Sequence, residues 1–279
     1  MTITIIGLGL IGGSLAIALR EKGFAKNIIG VDNNPNHSEK ALELHLVDKI
    51  LPLKEAIVLS DLVIVAIPVD ATAAILPGIL DIVNLQVVMD VGSAKGVICK
   101  AVKDHPQRSC YVATHPMWGT EYNGPAAAIS GAFINKATVI CDKTESSPGA
   151  LKLVEELYHL LGMHIVYMDS VSHDVHTAYI SHVSHITSFA LANTVLEKEK
   201  EDNTIFELAS AGFESTVRLA KSNPKMWLPI FIQNKDNVLD VLNEHISQLK
   251  KFKACLEKEN YEYLDELMIN ANTIKRILK

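Results

Sequence analysis

The sequence is short of several things, and each shortage excludes a class of protein. Only four cysteines, Cys99, Cys110, Cys141 and Cys255, occur in 279 residues, and no two form a C-x-x-C pair. They read as reduced thiols of a cytosolic protein, most of them core filler. No run of 18 uninterrupted apolar residues occurs, so no membrane span is expected. The apolar N-terminus lacks a basic n-region and runs straight into a glycine pattern, so it is not read as a signal peptide, and the expected location is the cytoplasm. A basic excess is missing too: 26 Lys+Arg face 32 Asp+Glu, for a formal net charge of -6. A general nucleic-acid binder needs a basic face to displace counterions from phosphate, so none is expected as partner. The same balance speaks against anionic small molecules. Aromatic residues make up only 6%, but hydrophobic residues reach 48% and charged residues 21%. That composition can bury a core and is not that of a disordered chain.

The length suits two domains better than one. Short, β-branched, nearly continuous apolar runs at Ile3–Ile6, Ile28–Val31, Leu62–Ala66, Val87–Asp90, Tyr111–Ala113, Ala137–Ile140 and His164–Tyr167 read as strands buried on both faces of a parallel sheet. Helix-length segments such as Gly12–Lys22, Asp70–Leu80 and Ser146–Leu161 lie between them. This alternation predicts an α/β, doubly wound parallel sheet. After Asp169 the period-2 signal fades and helices dominate, about Asp174–Glu201, Thr204–Lys221, Pro224–Leu256 and from Tyr261 onward. Asn223–Pro224 reads as an N-cap followed by proline at the first helical position. The expected division is a nucleotide domain over 1–169 and an all-helical domain over 170–279.

Gly7, Gly9 and Gly12 form G-x-G-x-x-G directly after a strand and ahead of an apolar helix. Gly7 permits the tight turn, Gly9 lets a pyrophosphate approach the backbone, and Gly12 allows close packing of helix on strand. The helix start at Leu10, Ile11 and Gly12 then offers N–H groups and a positive dipole to phosphates. Asp32, 20 residues past Gly12, ends the second strand, where a carboxylate can accept both ribose hydroxyls of NAD and repel a 2′-phosphate. No arginine follows it, so the expected cofactor is NAD; the competing reading is a turn acid. Together these features predict a Rossmann-type domain. Pro68 leads a loop at the carboxyl edge of the third run, where ligands bind in such sheets.

The run Val87–Asp90 delivers Ser93 and Lys95 to the same edge, although a helix N-cap and a solvated first-turn lysine are equally natural readings. His115 follows another strand and sits on a rigid His–Pro step. A lone histidine is usually structural, but beside a dinucleotide site it can take a hydroxyl proton as hydride leaves for NAD. His173, His176, His182 and His185 crowd one helix. No acidic or cysteine ligand cluster accompanies them, so no metal is expected.

These residues resemble a known family. GLGLIGGSLA at Gly7–Ala16, DVGSAKG at Asp90–Gly96 and HPMWGTEYNGP at His115–Pro125 look like the prephenate/arogenate dehydrogenases of tyrosine biosynthesis. So do HDVHTAYISHVSHITSFAL at His173–Leu191 and GFESTVRLAKSNPKMW at Gly212–Trp227, so that the likeness spans nearly the whole chain in order. It resembles the monofunctional form, without a chorismate mutase segment or an ACT regulatory domain.

The resemblance implies NAD-dependent oxidative decarboxylation of prephenate to 4-hydroxyphenylpyruvate. It implies that His115 takes the hydroxyl proton and that Ser93 hydrogen-bonds that hydroxyl or the histidine. Arg218 would hold a substrate carboxylate, Glu121 would pair with a cation at the pocket mouth, and His185 and Trp227 would line the pocket. An intertwined homodimer through the helical half is implied as well. Two positions depart from the family: a bulky Trp118 stands beside the catalytic loop, and Glu214 stands where some members carry a cation. At i,i+4 to Arg218, Glu214 is placed to pair with it and weaken its hold on a carboxylate, which would favour the ammonium of arogenate; prephenate stays the expected substrate because His185 is present. Alternatives from other classes are a two-domain dehydrogenase with a catalytic lysine, for which this chain offers histidines, and a non-catalytic NAD-binding redox sensor. The helix end after Gly12, Lys95, His115 and Arg218 together are expected to make a local positive pocket despite the acidic sum.

Overall fold

Residues 1–200 and 207–277 are described by a computed structural model. The strands are β1 (Thr2–Ile6), β2 (Asn27–Val31), β3 (Lys49–Ile50), β4 (Leu62–Val65), β5 (Val87–Asp90), β6 (Tyr111–Pro116), β7 (Ala137–Cys141) and β8 (His164–Met168). They form one eight-stranded sheet in the order β3-β2-β1-β4-β5-β6-β7-β8. The order reverses between β1 and β4, which places a crevice at their carboxyl ends. Seven of these strands coincide with the apolar runs in the sequence; the two-residue β3 is too short to show a pattern. One expectation needs correcting. The sheet is not wholly parallel, because β6 and β7 pair antiparallel. A strand buried on both faces has the same apolar composition in either direction, so its sequence does not reveal which way it runs.

Strand residues alternate between two cores. Ile3, Ile5, Leu62, Ile64, Met89 and Val112 face one, with Leu15 and Leu19 of α1 (Leu10–Glu21) and Val154 and Leu157 of α6 (Pro148–Leu160). Between these two helices the chain forms α2 (Pro35–Glu43), α3 (Leu53–Val58), α4 (Val69–Leu80) and α5 (Gly96–Ala101). Val63, Val65, Val88 and Tyr111 face the second core, against Leu76 and Ile79 of α4 and Ile98 of α5. The four cysteines are free thiols, and burial pushes the Cys99 thiol up to about 12.

After β8 the chain is helical. Asp169 caps α7 (Ser170–Thr177) by accepting from the Ser172 N–H at 2.8 Å. A π turn over Ala178–His182 then leads into α8 (Val183–Glu199). The segment expected as one helix over Thr204–Lys221 is α9 (Ala211–Val217) followed by a 3₁₀ turn at Arg218–Lys221; residues 204–206 lie outside the described residues. Asn223 caps α10 (Pro224–Gln233) at the Lys225 N–H, with proline at the first helical position. The long helix expected from Pro224 to Leu256 is broken at Asn234, whose backbone leaves the helical region. Two compact units divide there, 1–234 and 235–279. The second unit is a helical hairpin of α11 (Lys235–Glu257) and α12 (Tyr261–Asn272), turned at Glu259 with φ +52.

The glycine loop shows why its residues are fixed. Gly7 has φ +95, a conformation that side chains strain to adopt. A Cβ at Gly12 would lie 2.0 Å from the Gly7 carbonyl oxygen, whereas one at Gly9 would meet nothing within 4 Å. Gly12→Ala therefore lowers stability by about 1–3 kcal/mol, the usual penalty of overpacking. Gly9→Ala changes it by less than about 1 kcal/mol. Urea unfolding midpoints of the two variants test the contrast.

Candidate active site

A cavity of about 660 Å³ opens over the ends of β1, β2 and β4, walled by Val31, Asp32, Leu53, Ile67, Pro68 and, from α10, Lys225. Asp32 and Pro68 thus stand on one wall system, next to the start of α1. No side chain caps α1 and no acid lies in its first turn, so Leu10 and Ile11 open a helix whose first N–H groups and positive dipole are available to an anion. Asp32 accepts from the Leu8 N–H and the Asn34 N–H, each at 2.8 Å. His37 Nδ1 also lies 3.5 Å from Asp32 Oδ2; an ionised carboxylate has about four acceptor positions, so one remains, on Oδ1, for a ribose hydroxyl. Gly9 leaves open the space a pyrophosphate needs. This cradle fits a dinucleotide.

On the same edge, Asp90 ends β5 and Lys95 lies in the loop before α5. Neither is solvent-exposed, and the Lys95 ammonium pairs with the Asp90 carboxylate and donates to the Thr114 carbonyl at 2.7 Å. Asp90 also accepts from the Tyr111 hydroxyl at 2.6 Å and the Gly92 N–H at 2.8 Å. Lys95 is therefore neither a solvated first-turn residue nor part of a positive pocket, since its charge is neutralised inside the domain. Ser93 lies half-buried in the same loop. Among the described residues its hydroxyl has no hydrogen-bond partner, His115 included.

His115 sits near the end of β6 and is buried. Its Nδ1 lies 2.9 Å from Nε2 of His173 on α7. His173, with no exposure, places its own Nδ1 2.8 Å from Asp174 Oδ1. Asp174 accepts in turn from the Lys95 N–H at 2.7 Å and the Gly96 N–H at 2.8 Å. Burial, above all, holds the His115 imidazole well below the ordinary histidine range. Burial would raise Asp174, but hydrogen bonds from His173 and from the Lys95 and Gly96 N–H groups outweigh it and keep the carboxyl low.

The helical half brings the remaining residues together in two groups. Arg218 pairs with Glu121 at 3.0 Å. Glu121 is held below the usual carboxylate range first by its own backbone N–H and then by Arg218. His185 stacks on Trp227 with ring centroids 3.4 Å apart, and its Nδ1 donates to the Ser181 carbonyl at 3.0 Å. The Trp227 Nε1–H is buried and has no hydrogen-bond partner among the described residues. Burial lowers His185, and the Arg218 charge lowers it further.

One expected pairing fails. Glu214 pairs with Lys221 at 3.7 Å and not with Arg218, because α9 ends at Val217 and the 3₁₀ turn breaks the i,i+4 geometry. Trp118, in the loop after His115, packs edge-on to Phe133 against the first core. Sequence reasoning noted His173 only as one of four clustered histidines and missed its contact with His115; as site residues it missed Asp174 and Asn234 altogether. The Asn234 amide donates to the Asp174 carbonyl at 2.7 Å and lies 3.2 Å from His182 Nδ1, tying α10 to α7. The available signal was the adjacent pair His173–Asp174 on a helix facing the sheet edge. Among the described residues no group of three or more His, Cys, Asp or Glu is placed to hold a metal ion.

A buried histidine on the same sheet edge as a dinucleotide cradle is an arrangement that suits a nucleotide-dependent dehydrogenase. The family model for the nucleotide-binding domain of prephenate dehydrogenase matches residues 15–167, and that for its dimerization domain matches residues 169–270. The chain belongs to the prephenate dehydrogenase family. It is 33% identical to the prephenate dehydrogenase of Bacillus subtilis over 94% of this chain and 72% of that protein. The crystal structure of prephenate dehydrogenase from Aquifex aeolicus with hydroxyphenyl propionate and NAD+ superposes with a TM-score of 0.90 at 29% identity, covering 99% of this chain and 97% of that one. Arogenate dehydrogenase from Synechocystis superposes with a TM-score of 0.79 at 27% identity over 100% of both chains.

The buried histidines make stability pH-dependent with a definite sign. Burial pushes His182 down to about 4 from an ordinary value of 6.5. Between these values the unfolded chain binds a proton that the folded chain refuses, so stability falls as pH drops through this window and His182 adds no further loss below it. At about 1.4 kcal/mol per pH unit, His182→Gln should lose about 2 kcal/mol less than the unsubstituted chain between about pH 7 and pH 5. Urea denaturation at the two pH values measures this.

Proposed function

We propose that this chain catalyses the oxidative decarboxylation of prephenate to 4-hydroxyphenylpyruvate, with NAD as the oxidant. The observation that carries the reading is His115: a buried imidazole at the carboxyl edge, engaged at Nδ1 and without a protein partner at Nε2 among the described residues. Gly7, Gly9, Gly12, Leu10, Ile11, Asp32 and Pro68 would hold the dinucleotide, which supplies a hydride acceptor when bound. His115 Nε2 takes the proton of the substrate's ring hydroxyl. Once the carbinol carbon is oxidised, the ring carboxylate leaves as CO₂ and its electron pair closes the aromatic ring, giving a phenolate. His115 then returns the same proton to the phenolate oxygen, so the histidine finishes neutral. Ser93, whose hydroxyl is uncommitted, lies in the loop able to meet that oxygen. Arg218 offers a guanidinium to a substrate carboxylate in exchange for Glu121, which makes Glu121 the gate of the pocket. The Trp227 N–H is a further donor.

A second reading, arogenate as substrate, is favoured by His185. With Nδ1–H given to Ser181, a neutral His185 presents a lone pair at Nε2, which suits an ammonium better than a carboxylate. Glu214 does not support it, being paired with Lys221. NADH formation at 340 nm with each substrate decides between them. Prephenate should give the higher kcat/KM, and His115→Asn should lower kcat by about 10²–10⁴-fold with the KM for NAD little changed. Full activity of that variant would remove His115 from the mechanism.

The helical half is proposed to join two copies, in keeping with its match to a dimerization domain. It leaves large apolar residues exposed, with Ile180, Leu228 and Ile232 in the first unit and Leu249, Leu256 and Ile269 in the second. Light scattering at micromolar concentration should give twice the chain mass; a monomer would exclude the assembly. The free cysteines accord with a reducing compartment, the cytoplasm. Among the described residues no helix is long and apolar enough to cross a membrane.

A further inference from the structure

We infer that His173 and Asp174 are positioning residues for His115, forming a carboxylate–imidazole–imidazole relay that fixes the proton of His115 on Nδ1 and its lone pair on Nε2. The inference rests on the reading of His115 as the base. It follows from donor and acceptor rules applied one atom at a time. An ionised carboxylate only accepts, so the 2.8 Å contact with Asp174 Oδ1 places a proton on His173 Nδ1. A neutral imidazole carrying its proton there has a lone pair at Nε2. The 2.9 Å contact between that atom and His115 Nδ1 then requires the proton to belong to His115. His115 Nε2 is left as the acceptor, as a base toward a substrate hydroxyl must be.

Each link is held from outside. Both Asp174 oxygens accept backbone N–H groups at the start of α5, from Lys95 and Gly96. The close approach depends on glycine, since a Cβ at Gly96 would lie 2.9 Å from Asp174 Oδ2. Asn234 holds the Asp174 carbonyl from α10. The ionisable groups facing the relay are Asp90 and Lys95 from the β5 side and His182 from the π turn. Asp90 and Lys95 cancel each other in a buried pair, which leaves Asp174 as the uncancelled charge. When His115 takes the substrate proton at Nε2, its Nδ1–H remains directed at His173, and the new positive charge looks through one ring toward the Asp174 carboxylate. The proton goes back to the phenolate oxygen, and the relay returns to its starting tautomers.

The direct test is the tautomer of His115 in the intact chain labelled with ¹⁵N-histidine, read by NMR near neutral pH without substrate. Protonated Nδ1 and bare Nε2 at His115 are expected; the opposite tautomer overturns the inference whatever the enzyme's substrate proves to be. Kinetics provide the second arm. His173→Leu should lower kcat by roughly 10²-fold while KM for NAD stays within about threefold. His173→Gln, whose amide oxygen can accept from His115 Nδ1, should recover about tenfold of that loss. Wild-type kcat in His173→Leu would overturn the relay. A wild-type chain that makes no NADH from prephenate or arogenate would instead overturn the proposed reaction, while the tautomer would still report on the relay.

Discussion

A lysine and an aspartate with no solvent exposure hold the carboxyl edge of this sheet together. Asp90 ends β5 and Lys95 folds back onto it, so the loop that carries Ser93 closes on itself. The same ammonium reaches the Thr114 carbonyl of β6, the residue before His115, and the Asp90 carboxylate takes the Tyr111 hydroxyl from the start of that strand. Taking two charges out of water is costly, and such a pair is weak support for stability as such. What it contributes here is position. Ser93 and His115 come from different strands, and this cluster keeps the two strand ends in one frame. Removing either partner would strand a charge in the domain interior, with a penalty of about 3–5 kcal/mol.

The sequence shows the nucleotide half plainly because its signals are local. Buried strands such as Leu62–Val65 are continuous apolar runs, and the glycines at 7 and 12 answer to a turn and a carbonyl a few residues away. Legibility fades where a residue's role is decided by a distant partner. Lys95 looks like a solvated helix-start lysine until Asp90 and Thr114 close around it. The His173–Asp174 pair gains meaning only when α7 lies against the start of α5. Glu214 has the right spacing to reach Arg218 on an ideal helix, but the helix stops between them, and Arg218 turns to Glu121 across 97 residues. The antiparallel turn of β7 and the break at Asn234 are likewise tertiary choices that leave no local mark.

A π turn at Ala178–His182 separates the relay residues on α7 from His185 on α8. Inserted turns of this kind shift the helix register and gather at functional sites. Here the shift lets His173 and Asp174 face the sheet edge while His182 and His185 face the α10 aromatics, with Trp227 between the two histidines. One helical segment thus carries both the pair that meets His115 and the pair that meets Trp227. Asn234 fastens this arrangement by bonding the Asp174 carbonyl beside His182, at the point where the first compact unit ends.

The chain's net charge of -6 says little about the sign of the crevice, and the structure explains why in a way the charges alone do not. Lys95, the obvious cation, is cancelled, and burial keeps His115, His173, His182 and His185 low. The start of α1 has no side-chain cap and no acid in its first turn, while the Arg218 guanidinium is engaged by Glu121. On the proposed reading of His115 as the base, burial that holds the imidazole below its ordinary range keeps it unprotonated before substrate arrives, so it adds no positive charge to compete for the ligand.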